Sequence, residues 1–316
     1  MKKILVCGAT GFIGRNVTEV LAKRSDLDVH AVCFTRPQYT CAGVTWHQAD
    51  LRNSEDVERV LNGMDIVIQA AATTSGSKDI TSRPYIHVTD NAVMNSLLLR
   101  ASHDLEIKHF VFFSCSIMYP SSDELLCEED FNESDKMHPR YFGAGWTKVY
   151  IEKMCEFFSR LGRTKYTVIR HSNIYGPHDK FDLERSHILG ATVTKVMTAD
   201  DGFISVWGSG EEKRDILYVG DLVNFVEDAI DKQLSPYELV NVGSGSAVSI
   251  NELVQEVIEG SGRDIKVTHD LSQPTIQTSL ALDCKKAKAL FGWEPTTSLK
   301  EGLSATIAWW RGNAPI

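Results

Sequence analysis

"KILVCGATGFIG", residues 3–14, decides the fold. Ile4 to Val6 form a short apolar run of the kind a fully buried strand shows. Three glycines follow, Gly8, Gly11 and Gly14, and then Val17, Val20 and Leu21 recur at helical spacing. A strand, a glycine turn and a helix in that order form a phosphate cradle. Glycines let backbone amides approach a pyrophosphate, and the helix N-terminus favours its charge. Phe12 and Ile13 would supply amides of that turn.

Working outward, the same alternation repeats. "VHAVCF" (29–34), "VTWHQAD" (44–50), "DIVIQAAA" (65–72) and "HFVFFSC" (109–115) read as further strands. A helix carries Val57, Val60 and Leu61, a long one runs from about 90 to 103, and another from about 146 to 161. "YTVIRHSNIYG" gives a sixth strand. Apolar strands alternating with helices predict an α/β fold, a Rossmann-type doubly wound parallel sheet. After residue 176 the pattern loosens into a smaller C-terminal α/β substrate domain. The expected division is 1–172 for the dinucleotide-binding domain, with 215–243 returning to its sheet. Residues 173–214 and 244–316 form the substrate domain.

Composition narrows the class. A formal charge of −9 over 316 residues, without basic blocks, argues against nucleic-acid binding. Seven scattered cysteines, at 7, 33, 41, 115, 127, 155 and 284, show no metal-type spacing and read as reduced thiols. The apolar run at the N-terminus is too short for a signal peptide. No stretch reaches the roughly 18 apolar residues of a membrane span. A soluble cytoplasmic protein, with no metal and no membrane partner, is expected. The six tryptophans read mostly as core.

The second strand ends "VCFTRP", with Arg36 where dinucleotide sites selective for NAD place an acid. A guanidinium suits a 2′-phosphate, so NADP is the expected cofactor, with NAD the alternative. Arg15 could help. Asp50 and Leu51, where the third strand ends, would flank the adenine, and Ala70 and Ala71 would line the cofactor after the fourth strand.

In this order, "GATGFIG", "AAA" (70–72), "SCSIMYP" (114–120), Lys148, "NIYGPHDKFD" (173–182) and "RDILYVGDL" (214–222) resemble the extended short-chain dehydrogenase/reductase family. The resemblance covers nearly the whole chain. "NIYGPHDKFDLERSHIL" (173–189) and "VWGSGEEKRDILYV" (206–219) are most similar to the branch that epimerises and reduces GDP-4-keto-6-deoxymannose. It implies a nucleotide-sugar substrate, hydride transfer at sugar C4, and a homodimer through a four-helix bundle. It further implies that Asn173, Trp207 and Arg214 contact the substrate. Arg214 against a diphosphate is sound chemistry. Lys148 would hold the nicotinamide ribose, and His187 would serve as an epimerisation acid/base.

That family places a tyrosine one helical turn before the lysine as proton donor. Here the position holds Ala144. The serine position after the fifth strand holds Cys115, flanked by Ser114 and Ser116, and the second epimerisation group falls on Ile117. Two substitutes present themselves. Cys115 beside Lys148 could act as acid/base. Tyr141 would lie about 10 Å along a continuous helix from Lys148, and helps only if the chain before 144 leaves the helix. His178 reads as structural. Three possibilities stay open: an enzyme with another donor, an engineered form, or a catalytically silent NADP-binding scaffold.

Overall fold

The computed structural model describes residues 1–73, 85–134, 137–183, 186–273 and 275–313. Seven strands form one parallel sheet. In chain order they are β1 (Lys2–Cys7), β2 (Leu27–Cys33), β3 (Val44–Gln48), β4 (Ile66–Gln69), β5 (His109–Phe113), β7 (Lys165–His171) and β11 (Tyr237–Val242), the short β6 (Leu125–Leu126) lying outside this sheet. Their spatial order is β11-β7-β5-β4-β1-β2-β3. The order reverses between β1 and β4, which pair with Cys7 opposite Gln69. Ligands of such sheets lie outside the carboxyl ends of the strands at that reversal.

The helices α1 (Phe12–Leu21), α2 (Ser54–Leu61), α3 (Tyr85–Asp104), α4 (Phe142–Arg160), α6 (Val219–Lys232) and α8 (Lys285–Phe291) cover the two faces. Ile4 and Val6 pack with Val17 and Leu21 on one side. Leu5 and Cys7 pack with Val57, Leu98 and Ile151 on the other. Two burials per strand repeat explain why these strands read as continuous apolar runs rather than alternating ones.

The expected sixth strand divides. Ser172 separates β7 from β8 (Asn173–Tyr175), which joins β10 (Lys213–Tyr218) and β12 (Ala247–Ser249) in a three-stranded sheet. This corrects the expectation for 215–243. Only β11 enters the main sheet, and β10 pairs with β8 and β12 instead. Around it, α5 (Ile188–Thr198), α7 (Ile250–Ser261) and α9 (Leu299–Asn313) bury a third core with Val193, Leu253 and Ile307. The start of α7 is legible in "SINE": Ser249 accepts from the Glu252 amide, and Glu252 reaches back to the Ser249 amide.

Four of the six tryptophans join the cores: Trp293 is buried, and Trp46, Trp146 and Trp310 pack against them, while Trp207 is 52% exposed and Trp309 is partly buried. All seven cysteines are free. Among the described residues no helix is long and apolar enough to cross a membrane, and no metal-binding group occurs.

Candidate active site

The glycine turn fits a pyrophosphate. Gly8 adopts φ +73° and its amide-side neighbours are so close that a Cβ there would lie 2.6 Å from the Ala71 backbone. A Cβ on Gly14 would run into the Gly8 carbonyl. The Gly11 amide donates to that same carbonyl at 2.8 Å, which closes the turn. Helix α1 then begins with no side-chain cap and no acid in its first turn. Its first amides, at Phe12 and Ile13, thus meet no capping side chain and no acid, an arrangement suited to an anion.

Around this turn the cofactor candidates gather. Arg36 is exposed, and its guanidinium reaches the Thr10 carbonyl at 3.4 Å. Arg15 lies 4.0 Å from the Tyr39 ring and pairs with Glu19 at 2.8 Å, so its charge is already matched. Asp50 is held by Arg52 through both oxygens, each at 2.9 Å, and Arg52 also reaches Asp90 at 3.0 Å. The carboxylate sits well below its ordinary pKa, chiefly because of those Arg52 bonds. Leu51 is buried beside it. After β4, Gln69 clamps the loop: its amide nitrogen donates to the Ala71 carbonyl and its oxygen accepts from the Ala71 amide. The Ala70 amide donates to Cys7.

Lys148 rises from α4 to the end of β5. Its ammonium donates to the Phe113 carbonyl at 2.5 Å and lies 4.6 Å from the Phe112 ring centre. Burial lowers its pKa, opposed by Cys115 and Glu152. Cys115 is partly exposed at the strand end. Burial raises its thiol, and Lys148 works against that rise. Ser116 is buried directly behind. The structure thus brings Lys148 and Cys115 together, with Ala144 one turn before the lysine and half-buried.

Beneath them lies a polar network that sequence reasoning missed. Glu152, one turn after Lys148, accepts from Ser114 at 2.5 Å and from Arg170 at 2.7 Å. Arg170 also donates to the Tyr119 hydroxyl at 2.9 Å, and that hydroxyl donates to Asn241 at 2.8 Å. Carboxylate and guanidinium are both almost fully buried. A spacing of four along α4 is the only sequence signal for Glu152. Its partner is eighteen residues further on.

His171 was also missed, although it ends a parallel strand beside β5, where ligands of this fold sit. Its Nδ1 is 2.7 Å from the Ser172 carbonyl. A carbonyl can only accept, so Nδ1 carries the proton and Nε2 is the acceptor. Burial pushes its pKa down to about 4, with the charges of Lys148 and His187 adding. His187 caps the start of α5 and is open to solvent on one side. Protein crowds its other sides, and this desolvation, with Lys180, lowers its pKa.

From the small sheet, Arg214 reaches toward the same space. Its guanidinium is gripped by the carbonyls of Lys213 at 2.9 Å, Thr278 at 2.7 Å and Ile276 at 2.8 Å. Asn173 donates to the Asp215 carbonyl at 3.1 Å, and Trp207 ends β9 (Phe203–Trp207). His178 adopts φ +68°, packs edge-on against Trp309 at 5.0 Å and faces Glu19 at 3.3 Å.

Tyr141 does not continue the helix. Residues Pro139–Tyr141 form a separate 3₁₀ turn, and α4 starts at Phe142. The phenol is raised by burial, while the charges of Arg214, Arg140 and Cys115 all act on it.

The fold and the glycine turn define a protein of the Rossmann dinucleotide-binding type. Residues 4–243 match the NAD dependent epimerase/dehydratase family, and the chain belongs to it. It is 29% identical to a GDP-L-fucose synthase of Azorhizobium caulinodans, over 98% of this chain and 96% of that one. It is 27% identical to GDP-mannose 3,5-epimerase 1 of rice, over 97% and 81%. Among solved structures, a UDP-glucose 4-epimerase of Thermotoga maritima with UDP-glucose superposes with a TM-score of 0.87. That pair is 26% identical, covering 98% of this chain and 99% of the other. The family places the chain among nucleotide-sugar epimerases and reductases.

Proposed function

We propose that this protein is an NADP-dependent epimerase/reductase of a 4-keto-6-deoxy sugar carried on GDP. The carrying observation is convergence. Lys148 acts on the Cys115 thiol, Lys148 and His187 both act on His171, and Cys115 and Arg214 both act on Tyr141. When bound, the dinucleotide supplies or accepts hydride at sugar C4. Gly8, Gly11, Phe12, Ile13 and Gly14 would hold its pyrophosphate, and Lys148 its nicotinamide ribose. Asn173, Trp207 and Arg214 would hold the sugar nucleotide, with His187 as the acid/base for epimerisation.

The test is turnover. Native protein mixed with NADPH and GDP-4-keto-6-deoxymannose should oxidise NADPH, with a reduced sugar among the products. UDP-linked 4-keto sugars serve as the comparison for the base. Ala144 is the observation that favours the other reading, a silent NADP-binding scaffold. Tight NADPH binding without turnover on any of these sugars would establish it.

NADPH should bind more tightly than NADH. Arg36 stands at the rim of the turn with no acid near the end of β2, and its charge lacks a carboxylate partner among the described residues. Arg36→Ala should narrow the gap by about 1–3 kcal/mol, the scale of a charge-assisted contact. Fluorescence titration of both dinucleotides reads this, and a tenfold preference for NADH would reverse the assignment.

Helices α3 and α4 pack on each other and still expose Val93, Tyr150 and Phe157. A homodimer formed through these two helices would cover them. The free thiols suit a cytoplasmic protein.

A further inference from the structure

On the reductase reading above, on which this inference rests, we propose that Asn16 and Glu19 are positioning residues that fasten the substrate-binding lobe to the cofactor helix. Sugar-nucleotide affinity then depends on two side chains that need touch neither ligand. Both stand on α1, three residues apart and so on one face of it.

Each of the two bridges a residue at the start of α1 to the segment after β8. The Asn16 amide has two hydrogens. One goes to the Phe12 carbonyl at 3.0 Å and the other to the Pro177 carbonyl at 2.9 Å. Glu19 has two oxygens. One accepts from Arg15 Nε at 2.8 Å, and the other faces His178 Nε2 at 3.3 Å. A carboxylate can only accept, so Nε2 is the donor in that contact. Phe12 is among the residues that would hold the pyrophosphate, and Arg15 directly follows the last glycine of the turn. Pro177 and His178 lie just beyond β8, which begins at Asn173. β8 pairs with β10, Asn173 opposite Ile216, and β10 carries Arg214. Asn173 and Arg214, which would hold the sugar nucleotide, thus belong to the two strands that this contact ties to α1.

The backbone shows that the contact is imposed. His178 adopts φ +68°, the left-handed region that residues with a side chain enter rarely. Such a conformation persists only where its surroundings hold it. Here Glu19 meets the ring at Nε2, Trp309 packs edge-on at 5.0 Å, and Asn16 holds the carbonyl of the residue before. Trp309 in turn stacks on Phe181 at 5.5 Å. Ion pairs between mobile surface side chains contribute little. These partners are confined: the His178 side chain is 14% exposed, and the Arg15 guanidinium lies 4.0 Å from the Tyr39 ring centre.

Asn16→Ala combined with Glu19→Ala should raise the KM for GDP-4-keto-6-deoxymannose roughly tenfold, the joint scale of a hydrogen bond and a part-exposed ion pair. The kcat and the NADPH affinity should stay within about threefold, since lost uniform binding leaves the chemical step alone. Calorimetry with GDP-mannose reads the same weakening without turnover. His178→Asn keeps a residue that tolerates the left-handed backbone and removes the ring that reaches Glu19. Added to Glu19→Ala, it should cost less than about twofold more, because the two partners share one contact. A KM within about twofold of native in the Asn16 and Glu19 double variant overturns the inference and leaves the reductase reading intact. Additive losses in the Glu19 and His178 pair overturn it as well. So does NADPH affinity falling in step with the KM, which marks a contact that serves folding alone. Native protein that neither turns over nor binds a GDP-linked sugar overturns the reading and the positioning together.

Discussion

Ala144→Tyr is expected to raise 4-keto reduction by roughly 10²–10⁴-fold, the usual worth of a placed general acid. Residue 144 lies one turn before Lys148, so the two side chains share a helix face. Lys148 is fixed by its bond to the Phe113 carbonyl, and it does not need to move to meet a phenol there. A phenol beside that ammonium gains acidity, because an adjacent positive charge favours the phenolate. Ala144 is only half-buried. Steady-state rates of the native protein and Ala144→Tyr, with NADPH binding as control, read this. Full NADPH binding without a gain would mean that the space before Lys148 has closed.

The second large effect is on stability. Glu152→Ala should cost about 3–5 kcal/mol in urea unfolding, the scale for breaking a buried ion pair from one side. The reason is what remains. Arg170 has a side chain 4% exposed and would keep its charge with no carboxylate in reach. Ser114 would lose its acceptor at the same time. Replacing both partners, Glu152→Leu with Arg170→Met, should recover part of the loss, because an apolar pair carries no orphaned charge. Equal losses in the single and the double variant would show that the Tyr119 and Asn241 bonds, rather than the ion pair, do the holding. The network also braces the site. Ser114 precedes Cys115, and Glu152 follows Lys148 by a turn, so slack in this pair reaches both.

Much of this was legible in the chain. Apolar runs bounded by glycine located the sheet strands. The glycine spacing located the turn between β1 and α1, because both are set by local chemistry. What escaped was pairing. "KRDILY" reads as a strand whichever sheet it joins, and nothing within it says that Asn173 rather than β11 lies opposite Ile216. Tyr141 escaped for a related reason. A 3₁₀ turn and a helix share most of their sequence preferences, and Pro139 suits the first turn of either. The glycines of "FGAGW" carried the signal, but their meaning depends on Met137 and Val88 lying above them. Glu152 and Arg170 could not be matched from sequence at all, since burial creates their partnership.

Arg214 carries one more implication. A guanidinium offers five N–H bonds. Both hydrogens of its Nη1 go to the Lys213 and Thr278 carbonyls, and one of Nη2 goes to Ile276. Among the described residues no partner takes the remaining two, on Nε and Nη2, which can present one edge of the planar group. That edge matches two oxygens of a single phosphate. A phosphate seated on that edge would meet a directional clasp rather than a diffuse attraction. A lysine at 214 would keep the charge, but its three rotating hydrogens cannot reproduce the fork. A sugar nucleotide seated on that edge would have its swing limited before the sugar ring touches anything else.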